Sequence, residues 1–274
     1  MSSASDDLRD AAARLAAVSD TARLDAELLM AHAAGMARND LLLKLYDMEA
    51  PAGFAALVER RLAHEPVSHI IGTRDFWTLT LRVTSDVLTP RPDSETLIEA
   101  AVEYFKSGAG PCRILDLGTG SGALLLAALD EWRTASGLGI DISESALAVA
   151  QSNAADCGMA QRAHFRLCNW LEGVDERFDL ILANPPYIKT SAHLPRDVAD
   201  YEPSLALYAG ADGLDAYRII AQGLAERLAP DGVAAVEIGY DQGQSAAQLF
   251  IDQGWKVTLK RDLSGQPRCL ILVR

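Results

Sequence analysis

From residue 110 onward, short apolar runs alternate with longer stretches of helical spacing, and this alternation constrains the fold more than any other feature of the chain. The runs RILDLG, SGLGID, AHFRL, FDLILA, VAAVEIG, WKVTL and RCLILVR read as strands. Helix-like segments lie between the first five, among them ALLLAALDEW, ESALAVAQSNAADCG and AYRIIAQGLAERL. Strands that alternate with helices pair in parallel and are covered on both faces, which is why they read as continuous apolar runs. The last two runs have no helix between them and are expected to pair antiparallel at one edge. The expected architecture is therefore α/β, a seven-stranded Rossmann-like sheet.

Residues 5 to 70 read as helices alone. Ser5 is a candidate N-cap for a segment with Leu8, Ala11, Ala12, Leu15 and Val18 on one face. TARLDAELLMAHAAG repeats the spacing with Leu24, Leu28 and Ala31, and Gly35 is a natural stop. Asn39 is placed to cap NDLLLKLYD, and Pro51 stands near the start of a stripe of Phe54, Leu57, Val58 and Leu62. DFWTLTLRVTSDVL then alternates and is rich in β-branched and aromatic residues, which predicts a hairpin. TPRPDSETLIEAAVEYF predicts a turn followed by a helix capped at Asp93 or Ser94. The expected division is a helical N-terminal domain over 1–73, a hairpin connector over 74–90 and an α/β domain over 91–274.

Charge and composition narrow the function. With 38 acidic and 25 basic side chains the net charge is −13, which disfavours broad binding to nucleic-acid phosphates. Cys112, Cys157, Cys168 and Cys269 form no CxxC pair, and the simplest expectation is a reduced, cytoplasmic setting. His32, His64, His69, His164 and His193 form no HxH or HExxH pair, so no metal is expected. No apolar run approaches the ~20 residues of a membrane span. The opening segment, with Asp6, Asp7, Arg9 and Asp10, is too charged for a secretory signal.

Chemistry concentrates at three strand ends. The first strand runs into Asp116-Leu117-Gly118-Thr119-Gly120-Ser121-Gly122 and opens a helix. Glycines there let a ligand approach the backbone, and the helix N-terminus offers unpaired N–H groups. Dinucleotides and S-adenosylmethionine both suit such a turn, but position 123 is Ala, so the G-x-G-x-x-G spacing of a dinucleotide fingerprint is absent. Asp141, at the end of the second strand, can accept from both hydroxyls of a ribose and fits either cofactor. The fourth strand breaks the tie, because it ends in Asn184-Pro185-Pro186-Tyr187. An amino group conjugated to a carbonyl or an aromatic ring is a poor nucleophile. Two acceptors, the Asn184 side-chain oxygen and the Pro185 carbonyl, can hold its two N–H bonds and aim its nitrogen at a cofactor methyl. The stiff Pro185-Pro186 backbone favours that alignment. Tyr187 is placed to pack on a flat target group.

DLGTGSG followed by NPPY resembles the class I methyltransferases that modify planar amino groups. EPVSHIIGTRDFW, LTPRPDSETL, YEPSLALYAGADGLDAYR and EIGYDQGQ narrow the resemblance to the protein-(glutamine-N5) methyltransferases of bacterial peptide chain release factors, over roughly residues 5 to 274. The resemblance implies methylation of the glutamine in the release factor's Gly-Gly-Gln motif with S-adenosylmethionine as cofactor. It places Gly118, Thr119, Gly120, Ser121 and Gly122 at the cofactor's methionine end, Asp141 at its ribose, Trp170 near its adenine and Asn184, Pro185, Pro186 and Tyr187 around the glutamine. The helical domain is then expected to recognise the release factor, and the chain to work as a monomer. One departure stands out. The family usually carries Asp before the tryptophan, and Asn169 stands here, which is expected to weaken cofactor binding. Arg91 and Glu95 are candidates to shape the cofactor entrance or to pair on the surface. Residues 190–215, with Tyr201, Glu202 and Pro203, are long enough for a substrate-contacting lid. Two other readings stay open: methylation of an exocyclic amino group on a nucleic-acid base, where NPPY also serves, and a non-catalytic docking module.

Overall fold

The computed structural model describes residues 3–274. These fall into two compact units, one formed by the chain up to Thr73 together with Leu194–Tyr201, the other by Arg74–His193 with Glu202–Arg274.

The first unit is built from α1 (Ala4–Leu15), α2 (Ala22–Ala33), α3 (Arg38–Lys44), α4 (Phe54–Leu62) and α5 (Val67–Ile71). The cap of α1 is Ser3, not Ser5. Ser3 is extended and its hydroxyl oxygen accepts from Asp6 N at 3.1 Å, whereas Ser5 lies inside the first turn. Ala37, not Asn39, holds the cap position of α3, and Leu41 N donates to its carbonyl at 3.0 Å. The buried face of α2 is also offset from the expected one. Ala26, Leu29 and Met30 are fully buried and Leu24 is exposed. The cause is electrostatic: α2 turns Asp25 inward, where Arg61 Nε donates to it at 2.9 Å and the Ser19 and Thr21 hydroxyls add 2.8 and 2.9 Å bonds. Leu8, Leu15, Leu41, Phe54 and Val58 complete this core. Gly35 ends α2 as expected, with a φ of 62° and Met36 N bonded back to Ala31 O at 3.1 Å.

The second unit opens with the predicted hairpin, β1 (Thr73–Phe76) and β2 (Leu79–Arg82), followed by α6 (Glu95–Phe105). Then come β3 (Arg113–Leu117), α7 (Ala123–Glu131), β4 (Ser136–Asp141), α8 (Glu144–Asp156), β5 (Ala163–Leu167) and β6 (Phe178–Ala183). After β6 a short helix, α9 (Arg196–Ala199), lies in the part belonging to the first unit. The second unit resumes with α10 (Asp215–Arg227), β7 (Leu228–Glu237), α11 (Gly243–Ile251), β8 (Lys256–Arg261) and β9 (Pro267–Val273).

The seven strands form one sheet in the order β5-β4-β3-β6-β7-β9-β8, parallel except for β9, which is antiparallel to both neighbours. The last two strands pair antiparallel as expected, and the final strand inserts between β7 and β8, leaving β8 at the edge. No helix joins β5 to β6; residues 170–173 make a turn and 174–177 run on irregularly instead. Two apolar layers sandwich the sheet. Leu97, Ile98, Leu125 and Leu129 pack on one face; Tyr217, Ile220, Leu224 and Phe250 pack on the other.

Candidate active site

Parallel register decides which residues meet at the strand ends. Leu117 pairs with Ile140 and with Ala183, and Ala183 pairs with Val236. The next residue along each strand, Gly118, Asp141, Asn184 and Glu237, therefore stands beside the others at the carboxyl edge. β3 and β6 also flank the point where strand order reverses, the crevice in which open α/β sheets bind ligands. A cavity of about 750 Å³ opens there, in the size range of small-molecule sites.

The structure brings Gly118, Thr119, Gly120, Ser121, Asp141, Trp170, Asn184 and Pro186 onto the wall of this cavity, and leaves Gly122, Pro185 and Tyr187 off it. Gly118 and Gly120 have φ of 68° and 53°, conformations that L side chains seldom adopt. The turn they allow brings Gly120 N to Asp141 Oδ2 at 2.9 Å, while Ser143 N donates to Oδ1 at 3.0 Å. Ser143 caps α8 by accepting from Ala146 N, so Asp141 has no capping duty. Gly122 serves packing, since a Cβ there would sit 3.3 Å from Ala150 Cβ and Leu126 Cδ1.

Asp116 lies under the same turn. Thr119 Oγ1 donates to its Oδ2 at 2.7 Å, its Oδ1 has no partner, and burial pushes the carboxyl up to about 7. An orphaned buried oxygen on a cavity wall is the mark of a site completed by a ligand that brings a donor. Cβ atoms built on Gly118 and Gly120 would meet nothing within 4 Å, so there is room for one. A nucleoside with an amino-acid tail fits these groups: hydroxyls at Asp141, an ammonium near Asp116, a flat base by Trp170. Trp170 has a φ of 51°, and the Cys168 thiol lies 3.0 Å from its carbonyl. Asn169 Nδ2 donates to Glu172 Oε1 at 3.0 Å, which leaves the Asn169 oxygen as an acceptor.

At the NPPY turn, Asn184 Nδ2 donates to Ser94 Oγ at 3.1 Å, leaving Oδ1 free. The Tyr187 carbonyl accepts from Gln242 Nε2 at 3.0 Å; the same nitrogen reaches Gly213 O at 3.1 Å. Gln242 Oε1 accepts from Gly239 N and from the Tyr217 hydroxyl. Burial, and then the charge of Glu237, raise the Tyr187 phenol to about 12, so it is a neutral donor. The Tyr187 ring lies against the Gly239 turn, not on the cavity wall where a flat target group would pack.

Arg91 lines the cavity and its Nη2 donates to both carboxylate oxygens of Glu202, at 2.9 and 2.7 Å. Glu95 is occupied elsewhere, accepting from Trp77 N at 2.8 Å and so anchoring the hairpin. Within 190–215, Pro203 lines the cavity, while Tyr201 belongs to the first unit and donates to Ala63 O. Sequence reasoning missed Ser94, Glu237 and Gln242 as parts of this site. Ser94 had the look of a helix cap, yet it makes no capping bond. Glu237 and Gln242 both fall in EIGYDQGQ, but no local pattern in that stretch gives either of them a partner.

A family model described as the PrmC N-terminal domain matches residues 7–72, and one described as a methyltransferase domain matches residues 110–236. A release factor glutamine methyltransferase of Cereibacter sphaeroides is 46% identical over 97% of this chain and 96% of its own length. One of Rhodospirillum rubrum is 45% identical over 92% of this chain and 79% of its own. Among solved structures, a ribosomal protein L11 methylase from Lactobacillus delbrueckii subsp. bulgaricus superposes with a TM-score of 0.51. It is 24% identical, over 69% of this chain and 81% of that one. The hMettl16 catalytic domain bound to a MAT2A 3′UTR hairpin superposes at 0.59 with 13% identity, over 76% and 81%, a likeness of fold alone. With its two family matches and its curated relatives spanning nearly the whole sequence, the chain belongs to the release factor glutamine methyltransferase family.

Proposed function

We propose that this protein transfers a methyl group from S-adenosylmethionine to the side-chain amide nitrogen of the glutamine in the Gly-Gly-Gln motif of a peptide chain release factor. The observation that supports this most is the Asn184 amide, whose nitrogen is occupied by Ser94 while its oxygen stays free at the mouth of a nucleoside-sized cavity. When bound, S-adenosylmethionine supplies a methyl on a sulfonium that departs as a neutral thioether, so no strong base is needed. Gly118, Thr119, Gly120, Ser121 and Gly122 form the turn that holds its amino-acid end, Asp141 accepts from the ribose, and Trp170 flanks the base. Asn184 Oδ1 and the Pro185 carbonyl accept the two N–H bonds of the glutamine amide. That fixes the nitrogen lone pair toward the methyl and weakens its delocalisation into the carbonyl as the new bond forms. Once the N–C bond has formed, one of the two amide protons leaves the now cationic nitrogen along its hydrogen bond to solvent. Pro185 and Pro186 keep the two acceptors in place, because their φ angles are locked. Tyr187 closes the turn from behind.

The helical unit over residues 1–73 is the part we assign to recognition of the release factor, with 74–90 as connector and 91–274 as the catalytic domain. The setting is the cytoplasm, and the working form a monomer. No helix among the described residues is long and apolar enough to cross a membrane.

The test mixes protein, cofactor and release factor and weighs the peptide that contains the Gly-Gly-Gln motif. The expected result is a gain of one CH₂ on the glutamine. Asn184→Ala should lower turnover by about 10²–10³-fold, the usual cost of one such acceptor or donor, with cofactor affinity little changed. No mass gain from folded, cofactor-loaded protein overturns the assignment.

A further inference from the structure

We propose that Glu237 is a positioning residue that sets which way the Asn184 amide faces, acting through the hydroxyl of Ser94. The inference rests on the glutamine-binding reading above. It begins from an ambiguity that Asn184 alone cannot resolve. The two ends of a carboxamide have the same shape, and a serine hydroxyl can donate or accept. In one arrangement Asn184 Nδ2 donates to Ser94 Oγ and the oxygen faces the cavity. In the flipped one, Ser94 donates to the oxygen and the NH₂ faces the cavity. The second arrangement sets donors against the donors of an incoming amide and cannot hold it.

Glu237 decides between them. The pairing of Ala183 with Val236 puts it next to Asn184 on the neighbouring strand. It is 1% exposed, and the nearby Ser94 and Tyr187 hydroxyls both favour its charged form against the effect of burial. Its Oε2 has no partner, so the carboxylate has capacity to spare for a proton aimed at it. Above about pH 7, where it is ionised, the Glu237 carboxyl is an acceptor only. The single Ser94 proton is drawn to it, and the only role left for Ser94 Oγ toward Asn184 is to accept, which the 3.1 Å separation between the two side chains allows. Glu237 also feels the charge of Arg268, but that guanidinium already bonds to Asp93 at 3.0 Å and to Asp262 at 3.2 Å and needs no third carboxylate. Burying a carboxylate is costly, and a strand end that needed only packing would be served by an apolar residue.

The experiment compares wild type, Glu237→Gln, Ser94→Ala and the double variant, all full-length and loaded with cofactor. Glutamine at 237 offers an NH₂ that can donate to Ser94, freeing the hydroxyl to turn toward Asn184. Solvent exchange of the ¹⁵N-labelled Asn184 side-chain NH₂ is read first, because it needs no substrate. One of its protons should exchange roughly tenfold faster in each variant than in wild type, the size expected for losing one hydrogen bond. With release factor, kcat should fall by roughly 10–100-fold in each single variant with cofactor Kd unchanged. The double variant should be no worse than the poorer single one, since the residues act as a unit. Ser94→Thr, which keeps the hydroxyl, should restore most of the rate and carries the test if Glu237→Gln fails to fold. Unchanged exchange, or losses that multiply in the double variant, would overturn the role of Glu237. A wild type that shows the protected NH₂ but never methylates the release factor would instead overturn the substrate assignment.

Discussion

Asp116 and Glu237 share an unusual position: each is a carboxyl at a strand end, almost fully buried, with one oxygen lacking a partner. Burial raises both to about 7, opposed at Asp116 by the Thr119 hydroxyl and the Leu125 N–H and assisted by Asp141. At Glu237 the opposing groups are Ser94, Arg268 and Tyr187, and Asp93 assists. The folded state thus binds protons that the unfolded chain has already released between roughly pH 4.5 and 7, and stability falls as pH rises through that window. The carboxyls held low, among them Glu176 beside Arg166, lose their stabilising contribution only below about pH 4.5, progressively down to their own lowered values. Cofactor-free protein should therefore show a higher urea midpoint at pH 5.5 than at pH 8, corresponding to an unfolding free energy larger by on the order of 4 kcal/mol for the two carboxyls together. Glu237→Gln should flatten the slope. A midpoint that climbs steadily to pH 8 would show that these two carboxyls do not dominate. Asp141 and Asn184 could be picked out beforehand because each stands in a local pattern with its own chemistry. Glu237 and Ser94 could not, since their meaning comes from the register that sets Ala183 against Val236.

The elements around the NPPY turn are tied together by Gln242, which bonds the Tyr187 carbonyl, Gly213 O, Gly239 N and the Tyr217 hydroxyl. Gly213 makes that convergence possible. It has a φ of 77°, and a Cβ there would lie 2.4 Å from Tyr187 O and 2.7 Å from Gln242 Nε2. Because the first of those atoms is backbone, Gly213→Ala must push the turn aside. Its expected cost is about 1–3 kcal/mol in a denaturant titration, with turnover reduced more than cofactor binding. Gly254→Ala is the control, with a φ of 83° but nothing within 4 Å of its Cβ, so that strain alone should cost it about 1 kcal/mol. Equal losses in both would assign the Gly213 effect to backbone strain and remove the steric argument. Strand content was legible here because buried parallel strands advertise themselves as apolar runs. Helix faces were less so: the spacing of Leu24, Leu28 and Ala31 pointed one way, and α2 rolled to give Asp25 to Arg61. The turns between β5 and β6 were missed for a related reason, since nothing in periodicity distinguishes a short crossover from a poorly patterned helix.

A similar fold occurs in a domain bound to an RNA hairpin, the hMettl16 catalytic domain, so fold cannot choose between a base and a glutamine as the bearer of the planar amino group. Charge can. A protein that follows a phosphate backbone gains its affinity by displacing condensed counterions with Lys and Arg. Here 38 acidic side chains face 25 basic ones, and many of the arginines are already spent on carboxylates: Arg61 on Asp25, Arg91 on Glu202, Arg166 on Glu176, Arg218 on Asp212 and Asp215. Freeing any of them for phosphate would expose the acid it neutralises, which repels the same ligand. Single-stranded and duplex oligonucleotides should accordingly bind more weakly than about 10⁻⁴ M at physiological salt, the weak end of ordinary non-specific binding, and should gain no methyl group. Fluorescence anisotropy across a salt series is the direct measurement. Tight binding that weakens steeply with salt, together with methyl transfer to the oligonucleotide, would move the substrate from glutamine to a base. It would also require a basic surface that the sum of charges does not suggest.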